Sequence, residues 1–156
     1  MKSLLLIALV LFLAADSSAQ QKDNTSFGLE LGYGTRSQNT SGYLVRGFYA
    51  VEFGTIEMEL GALMTSIADD GFGFDIKTRI PIESQRKKTS LVASFGFQTF
   101  VWSNTVSLGV PIGVHYRIAA SEDIVLEPSI NVAPSFVLTP EDKNFVLFDV
   151  RLGIRF

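Results

Sequence analysis

The chain has 156 residues, 47% of them hydrophobic and 19% charged, with a net charge of -3 and no cysteine. That apolar content excludes a disordered chain, and the missing cysteine excludes disulfide frameworks, thiolate metal sites and cysteine nucleophiles. The acidic balance excludes nucleic acid as a partner, because phosphate binding needs clustered Lys and Arg, and the length allows one domain.

The N-terminal segment reads as an address. Lys2 supplies one positive charge, Leu4 to Leu13 is an unbroken apolar run, and Ser17 and Ala19 are small residues at the -3 and -1 positions of a cleavage site. This order is that of a secretory signal peptide over 1–19, with 20–156 as the mature domain. The apolar run is about half of the roughly 20 residues that a membrane-spanning helix needs. No later stretch is apolar enough to span as a helix, so a membrane would be met by a barrel or at its surface.

From Phe27 onward, apolar residues fall on every second position in eight segments. They run Phe27–Tyr33, Tyr43–Phe53, Ile56–Met64, Phe72–Ile80, Leu91–Val101, Val106–Ile118, Ile124–Phe136 and Val146–Phe156. Alternation of this length predicts strands, and no helix-period segment competes. The rows contain no charged residue. The intervening positions carry Glu30, Arg46, Glu52, Glu57, Glu59, Asp75, Lys77, Arg79, His115, Arg117, Glu127, Asp149, Arg151 and Arg155, along with most of the strand glycines.

Which face is inside decides the class. A soluble barrel would bury the apolar rows, with Phe74, Phe95, Phe97 and Phe148 around a lipid-like ligand. A membrane barrel would turn those rows to lipid and the charges inward. Three features favour the membrane barrel. A charge on the lipid face costs about 2–4 kcal/mol at mid-bilayer, which keeps such rows clean. Glycine suits a crowded concave wall. Six basic and seven acidic residues on the charged face nearly balance, as a confined interior demands. The expected fold is therefore all-β: an eight-stranded antiparallel up-and-down transmembrane β-barrel.

The links between segments are short. Thr35–Gly42, Thr65–Asp70, Trp102–Asn104 and Leu138–Asn144 fall at one end. Gly54-Thr55, Ile82–Lys88 and Ala119–Asp123 fall at the other, with both termini. Tyr33, Tyr43 and Trp102 are expected at one aromatic rim, and Phe27, Phe53, Tyr116 and Phe156 at the other. Pro111, Pro128 and Pro134 are expected to interrupt the ladders of the sixth and seventh strands.

The closing segment Phe148–Phe156 (FDVRLGIRF) alternates and ends on Phe156; it resembles the recognition signal of bacterial outer-membrane barrels. Val110–Arg117 (VPIGVHYR) and the Ser-Ala-Gln-Gln junction are similar to the small outer-membrane barrels of Bacteroidetes. The wider resemblance is to OmpX- and OmpA-type barrels, whose turns and charged interiors match and whose long outer loops do not. This resemblance implies a Gram-negative outer membrane reached through a cleaved signal peptide. Membrane lipid, the barrel-assembly machinery and periplasmic chaperones are the implied partners, for a chain expected to be a monomer.

Chemistry in the sequence is sparse. His115 is the lone histidine; it is expected to point inward, with Ser94 or Ser129 within reach as a nucleophile. His115-Tyr116-Arg117 lacks the serine that the lipid A deacylase motif carries two residues on. Glu57 with Glu59, or Asp75 with Asp149, could form a carboxylate pair for acid–base chemistry or a metal, and six basic partners point instead to ion pairing. Asp69-Asp70 fits a solvated turn or a cation contact. No cofactor and no catalysis are expected. The interior network is read as Glu30, Arg46, Glu57, Glu59, Asp75, Lys77, Arg79, His115, Arg117, Glu127, Asp149, Arg151 and Arg155, forming a plug or lining a narrow porin-like channel. The leading expectation is a small non-catalytic outer-membrane barrel with a structural or surface-contact role. Too few strands remain for a diffusion pore, which needs about 16.

Overall fold

A computed structural model of the protein describes residues 24–67, 69–82, 89–102, 105–139 and 143–156. The expected signal segment 1–19 and residues 83–88 of the expected link Ile82–Lys88 lie outside the described residues. Alternating rows become strands throughout: β1 (Thr25–Arg36), β2 (Thr40–Phe53), β3 (Ile56–Thr65), β4 (Gly71–Pro81), β5 (Thr89–Val101), β6 (Val106–Gly109), β7 (Ile112–Ala119), β8 (Val125–Val137) and β9 (Phe145–Arg155). The full-length ones reach or exceed the 9–11 residues or so that a bilayer-crossing strand requires.

With β6 and β7 counted together, each strand pairs antiparallel with the next in the chain, and β9 returns to β1, from Gly28 opposite Arg155 to Arg36 opposite Leu147. Phe156 and Phe27 exchange backbone hydrogen bonds at 2.8 and 3.2 Å, which finishes the seam. Closure leaves no edge strand open to pairing. The tight turn at Gly54-Thr55 uses a positive φ of 65° at Gly54, a region where glycine avoids the Cβ penalty. We call the rim that holds this turn and the seam the near rim, and the rim of Ser37–Asn39 and residues 66–67 and 69–70 the far rim.

β6 and β7 are two halves of one barrel strand, so nine stretches make eight strands. Their partners on β5 and on β8 continue in one register across the break. Pro111 causes the break, since it has no N–H for the ladder. Its carbonyl still accepts from Gly96 at 3.0 Å. Pro128 and Pro134 do not break β8, contrary to expectation. They are six residues apart, so both turn their missing donor toward the same neighbour. Pro134 faces the 110–111 gap, where its carbonyl accepts from Val110 at 3.0 Å, and Pro128 lies where the β7–β8 ladder skips Tyr116 and Arg117. The β8–β9 ladder runs unbroken from Val125 to Ser135.

The apolar rows face outward. Phe74, Phe95, Phe97 and Phe148, the interior of the soluble alternative, are 59%, 50%, 73% and 47% exposed. Tyr33 and Tyr43 make an edge-to-face pair on the outside of the far rim, with centroids 5.6 Å apart. Trp102 corrects the rim expectation: it points into the barrel and is buried. It occupies an inward position of the β5 alternation, two residues beyond Phe100. Most of the buried apolar residues gather in one tier below the far rim, including Leu44, Leu63, Ile67, Phe100, Trp102, Phe145 and Leu147.

The inner wall is crowded where glycine lines it. A Cβ on Gly96 would sit 2.0 Å from the Ile76 carbonyl oxygen, and one on Gly73 would sit 2.1 Å from that of Thr99. Neither can be relieved by a side-chain rotation. At Gly153 the nearest atoms are 3.3 Å away. Gly96→Ala is expected to destabilise the folded barrel by about 1–3 kcal/mol or to block folding, in the range of overpacked sites. Gly153→Ala should cost less, and urea titration in detergent micelles ranks the two.

Candidate functional site

The interior between the apolar tier and the near rim is ionic. All thirteen residues expected there point inward, and twelve are almost wholly buried. Arg117, at the near rim, is the half-open exception. Each strand contributes through the same parity that sends its apolar row outward. Glu52, the seventh acid of the charged face, lies exposed at the near rim. Among the described residues that leaves six carboxylates and six basic side chains in the network, with Arg36 apart from it at the far rim.

Arg46 of β2 is one hub. Its Nε donates to Asp75 at 2.8 Å, its Nη1 to Glu30 at 3.1 Å, and its Nη2 pairs with Glu59 at 2.9 Å. Glu30 is shared with Arg151, whose Nη1 is 3.0 Å from it, and Arg151 grips Asp149 in a fork at 2.6 and 2.9 Å. Arg79 is the second hub and joins Glu59 and Glu127, with Glu57 at 3.4 Å. Arg155 bonds Glu57 and reaches Glu59 at 2.6 Å, and Arg117 bridges Glu57 and Glu127 at 2.8 and 3.1 Å. The pairs form one chain of shared carboxylates from Asp149 to Arg117. Bidentate arginine forks hold such pairs in fixed geometry.

Two packing features position the hubs. Gly61 faces the Arg46–Asp75 pair so closely that a Cβ would lie 2.5 Å from Arg46 Nε and 2.3 Å from Asp75 Oδ1. Phe48 lies against Gly28 and carries two guanidiniums over its ring, Arg46 at 4.9 Å and Arg155 at 5.1 Å. Cation–π contact of this kind gains strength away from water.

His115 joins a second pattern. Its Nε2 is 2.8 Å from Ser94 Oγ and its Nδ1 is 2.9 Å from Glu127 Oε1. A serine, a histidine and a carboxylate in this order is the arrangement of an activated nucleophile. Here Ser94 and His115 are buried, and Glu127 is shared with Arg79 and Arg117. The near-rim cleft is lined by Glu52, Glu57, Arg79, Val92 and Arg117 and does not include Ser94. Of the two serines expected within reach, Ser94 bonds the histidine, while Ser129 receives a contact from Asn131 at 3.4 Å.

Glu30, His115 and Glu127 bring possible metal-ligand atoms within 4.8 Å of one another. The donor set does not suit a cation: Glu30 already bonds two guanidiniums and Glu127 bonds Arg79 and Arg117. The carboxylates of the pairs considered from sequence are all engaged by arginine. Glu57 and Glu59 share Arg79 and Arg155 as counter-ions, while Asp75 pairs with Arg46 and Asp149 with Arg151.

Sequence reasoning missed the uncharged members of the wall. Gln98, Ser107, Asn131 and Ser135 are buried inside, and Asn131 donates to Asp149 at 2.9 Å. Their signal was available, since they occupy the same inward parity as the charges.

No protein-family model and no curated protein matches the chain. Solved structures do. Neisserial surface protein A superposes with a TM-score of 0.64 at 9% identity, over 85% of this chain and 96% of that one. The chain has the fold of the small outer-membrane β-barrels. The N-terminal barrel domain of Pseudomonas aeruginosa OprF gives a TM-score of 0.58 at 13% identity, covering 84% and 97% of the two chains. A de novo designed transmembrane β-barrel gives 0.56 at 14%, covering 87% and 97%. A likeness extending to a designed chain is a likeness of architecture.

Removing one partner from a buried ion pair leaves the other charge uncompensated, which costs about 3–5 kcal/mol. Arg79→Gln strands parts of Glu57, Glu59 and Glu127 together, so it is expected to lower unfolding free energy by that order. Glu52→Gln at the exposed rim should change it by less than about 0.5 kcal/mol. Urea unfolding in micelles measures both.

Proposed function

We propose that the chain is a small integral protein of a bacterial outer membrane, non-catalytic and non-conducting, with a structural or surface-contact role. One observation carries this reading: the barrel is inverted, with an ion-paired interior and outward strand rows free of charge. Water offers no reason to bury six carboxylates and six cations while exposing Phe74, Phe97 and Leu60, whereas a bilayer does. The near rim then faces the periplasm and the far rim the outside. Short links at the far rim leave little room for a binding lobe, so contact with partners would be made by the rim itself.

The finer parts of the proposal follow from sequence. Cleavage after Ala19 would release the domain into the periplasm, where chaperones and the barrel-assembly machinery would receive it. Phe156, outward at the near rim and joined to Phe27, is the residue we assign to assembly recognition. A kinship with the small barrels of Bacteroidetes rests on Val110–Arg117. Outer-membrane lipid is the proposed permanent partner of a monomer.

Leu60 and Ile76 are directly opposed on β3 and β4 and both face outward. Leu60→Arg is expected to cost about 2–4 kcal/mol of folding free energy in lipid vesicles if this face meets the bilayer centre. In a soluble protein the same exposed change would be near neutral, and that result would end the membrane reading. Planar-bilayer recording of barrel confirmed as folded by a boiled-against-unboiled gel shift should show no current steps. A fluorophosphonate probe should leave Ser94 unlabelled; labelling that is lost in His115→Ala would restore the catalytic reading.

A further inference from the structure

Beside the ion pairs, one wall of the interior has a different character. Along β4 to β8 the inward positions include Lys77, Gln98, Ser107 and Asn131, all buried. The Lys77 ammonium is 3.8 Å from Asp75, beyond hydrogen-bond reach. Lys77 Nζ, both amide atoms of Gln98, Ser107 Oγ and Asn131 Oδ1 have no hydrogen-bond partner among the described residues.

The register makes these atoms one surface. Lys77 lies opposite Gly96, Gln98 opposite Gly109, Asn131 opposite Gly113 and Ser107 opposite Phe100. The polar ends of Gln98 and Asn131 lean over bare glycine backbone. A Cβ on Gly109 would be 3.0 Å from Gln98 Nε2, and one on Gly113 would be 2.2 Å from Asn131 Oδ1. A buried polar atom left unbonded is expensive, and ordered water with two to four polar partners is the usual remedy.

This wall stops at the apolar tier. Phe100 stacks on Trp102 with centroids 5.2 Å apart, and Trp102 meets Phe145 edge-on at 5.8 Å. The Arg36 guanidinium lies 3.9 Å from the Phe145 centroid and 5.3 Å from that of Trp102, on the far-rim side. Leu44, Leu63 and Leu147 belong to the same packed cluster. An apolar constriction blocks ions by excluding water, whereas charged side chains hold water and can exchange partners.

We infer that the wall from Lys77 to Asn131 holds ordered water in a blind chamber, and that the Phe100–Trp102–Phe145 tier, rather than the ion-pair network, is the barrier that closes the barrel. The inference rests on the reading of a non-conducting membrane barrel and says where its seal lies. Two measurements test it. In the unaltered protein in micelles, NMR should show water cross-relaxation to the Gln98 side-chain amide protons; a dry amide overturns the chamber. In planar bilayers, the folded Phe100→Ala/Trp102→Ala double variant should give discrete current steps where the unaltered barrel gives none. A folded, silent double variant overturns the seal, as do current steps from Arg117→Gln, which loosens only the ionic tier. If the double variant fails to fold, the NMR result on the unaltered protein still decides the chamber, and Phe145→Ala replaces it in the bilayer with the same expected steps. Current from the unaltered barrel would sink both this inference and the non-conducting reading, and is told apart by needing no substitution.

Discussion

A charge buried in a closed barrel must have its counter-ion within reach, and that constraint organises the interior. Six carboxylates meet six basic side chains in the network, and each arginine hub serves three acids at once. Such pairs gain less than their Coulomb attraction implies, because both partners have lost water. Their larger effect is on uniqueness. Any strand slipped by one residue would put arginines into lipid and leucines into the ion network, so the network fixes the register as firmly as a hydrophobic core does in a soluble protein.

The same constraint explains the glycines. Long guanidinium and carboxylate side chains from one wall need room against another. Gly61, Gly28 and Gly113 supply it, since a Cβ at each would overlap Arg46 and Asp75, Phe48, or Asn131 respectively. Glycine weakens an isolated strand. In this barrel it is compensated by what lies across it, and the crowding is greatest where the barrel is ion-paired or where strands approach at Gly73 and Gly96.

The interior is also asymmetric along its axis. Charge dominates from the near rim to about the level of Arg46, and packed aromatic and aliphatic side chains take over beneath the far rim. The Arg36 guanidinium covers that tier through ring faces, a use of charge distinct from the ion pairs below it. A barrel built this way presents water-holding groups to one side and an apolar barrier to the other.

Much of this was legible in the sequence. Period-two alternation assigns every strand residue to one of two faces, and the purity of one face told which was outside. The thirteen inward residues from Glu30 to Arg155 and the outward Phe74, Phe95, Phe97 and Phe148 follow from parity, a local property of a pleated chain, and the count of alternating segments gave the eight strands. Parity also pointed Trp102 and Gln98 inward, although the expectation of an aromatic rim hid the first and the search for charge hid the second. Other features were not local. Which acid meets which arginine and the bonding of Ser94 rather than Ser129 to His115 depend on strand stagger around a closed ring, which no single segment encodes. The prolines divide in the same way: Pro111 breaks its strand by its own missing donor, while Pro128 and Pro134 are tolerated because tertiary pairing turns their missing donors toward a neighbour already interrupted. The sequence by itself determined the faces, because side-chain direction follows from the backbone pleat; only the tertiary structure decided the partners, because contacts across a barrel are set by closure.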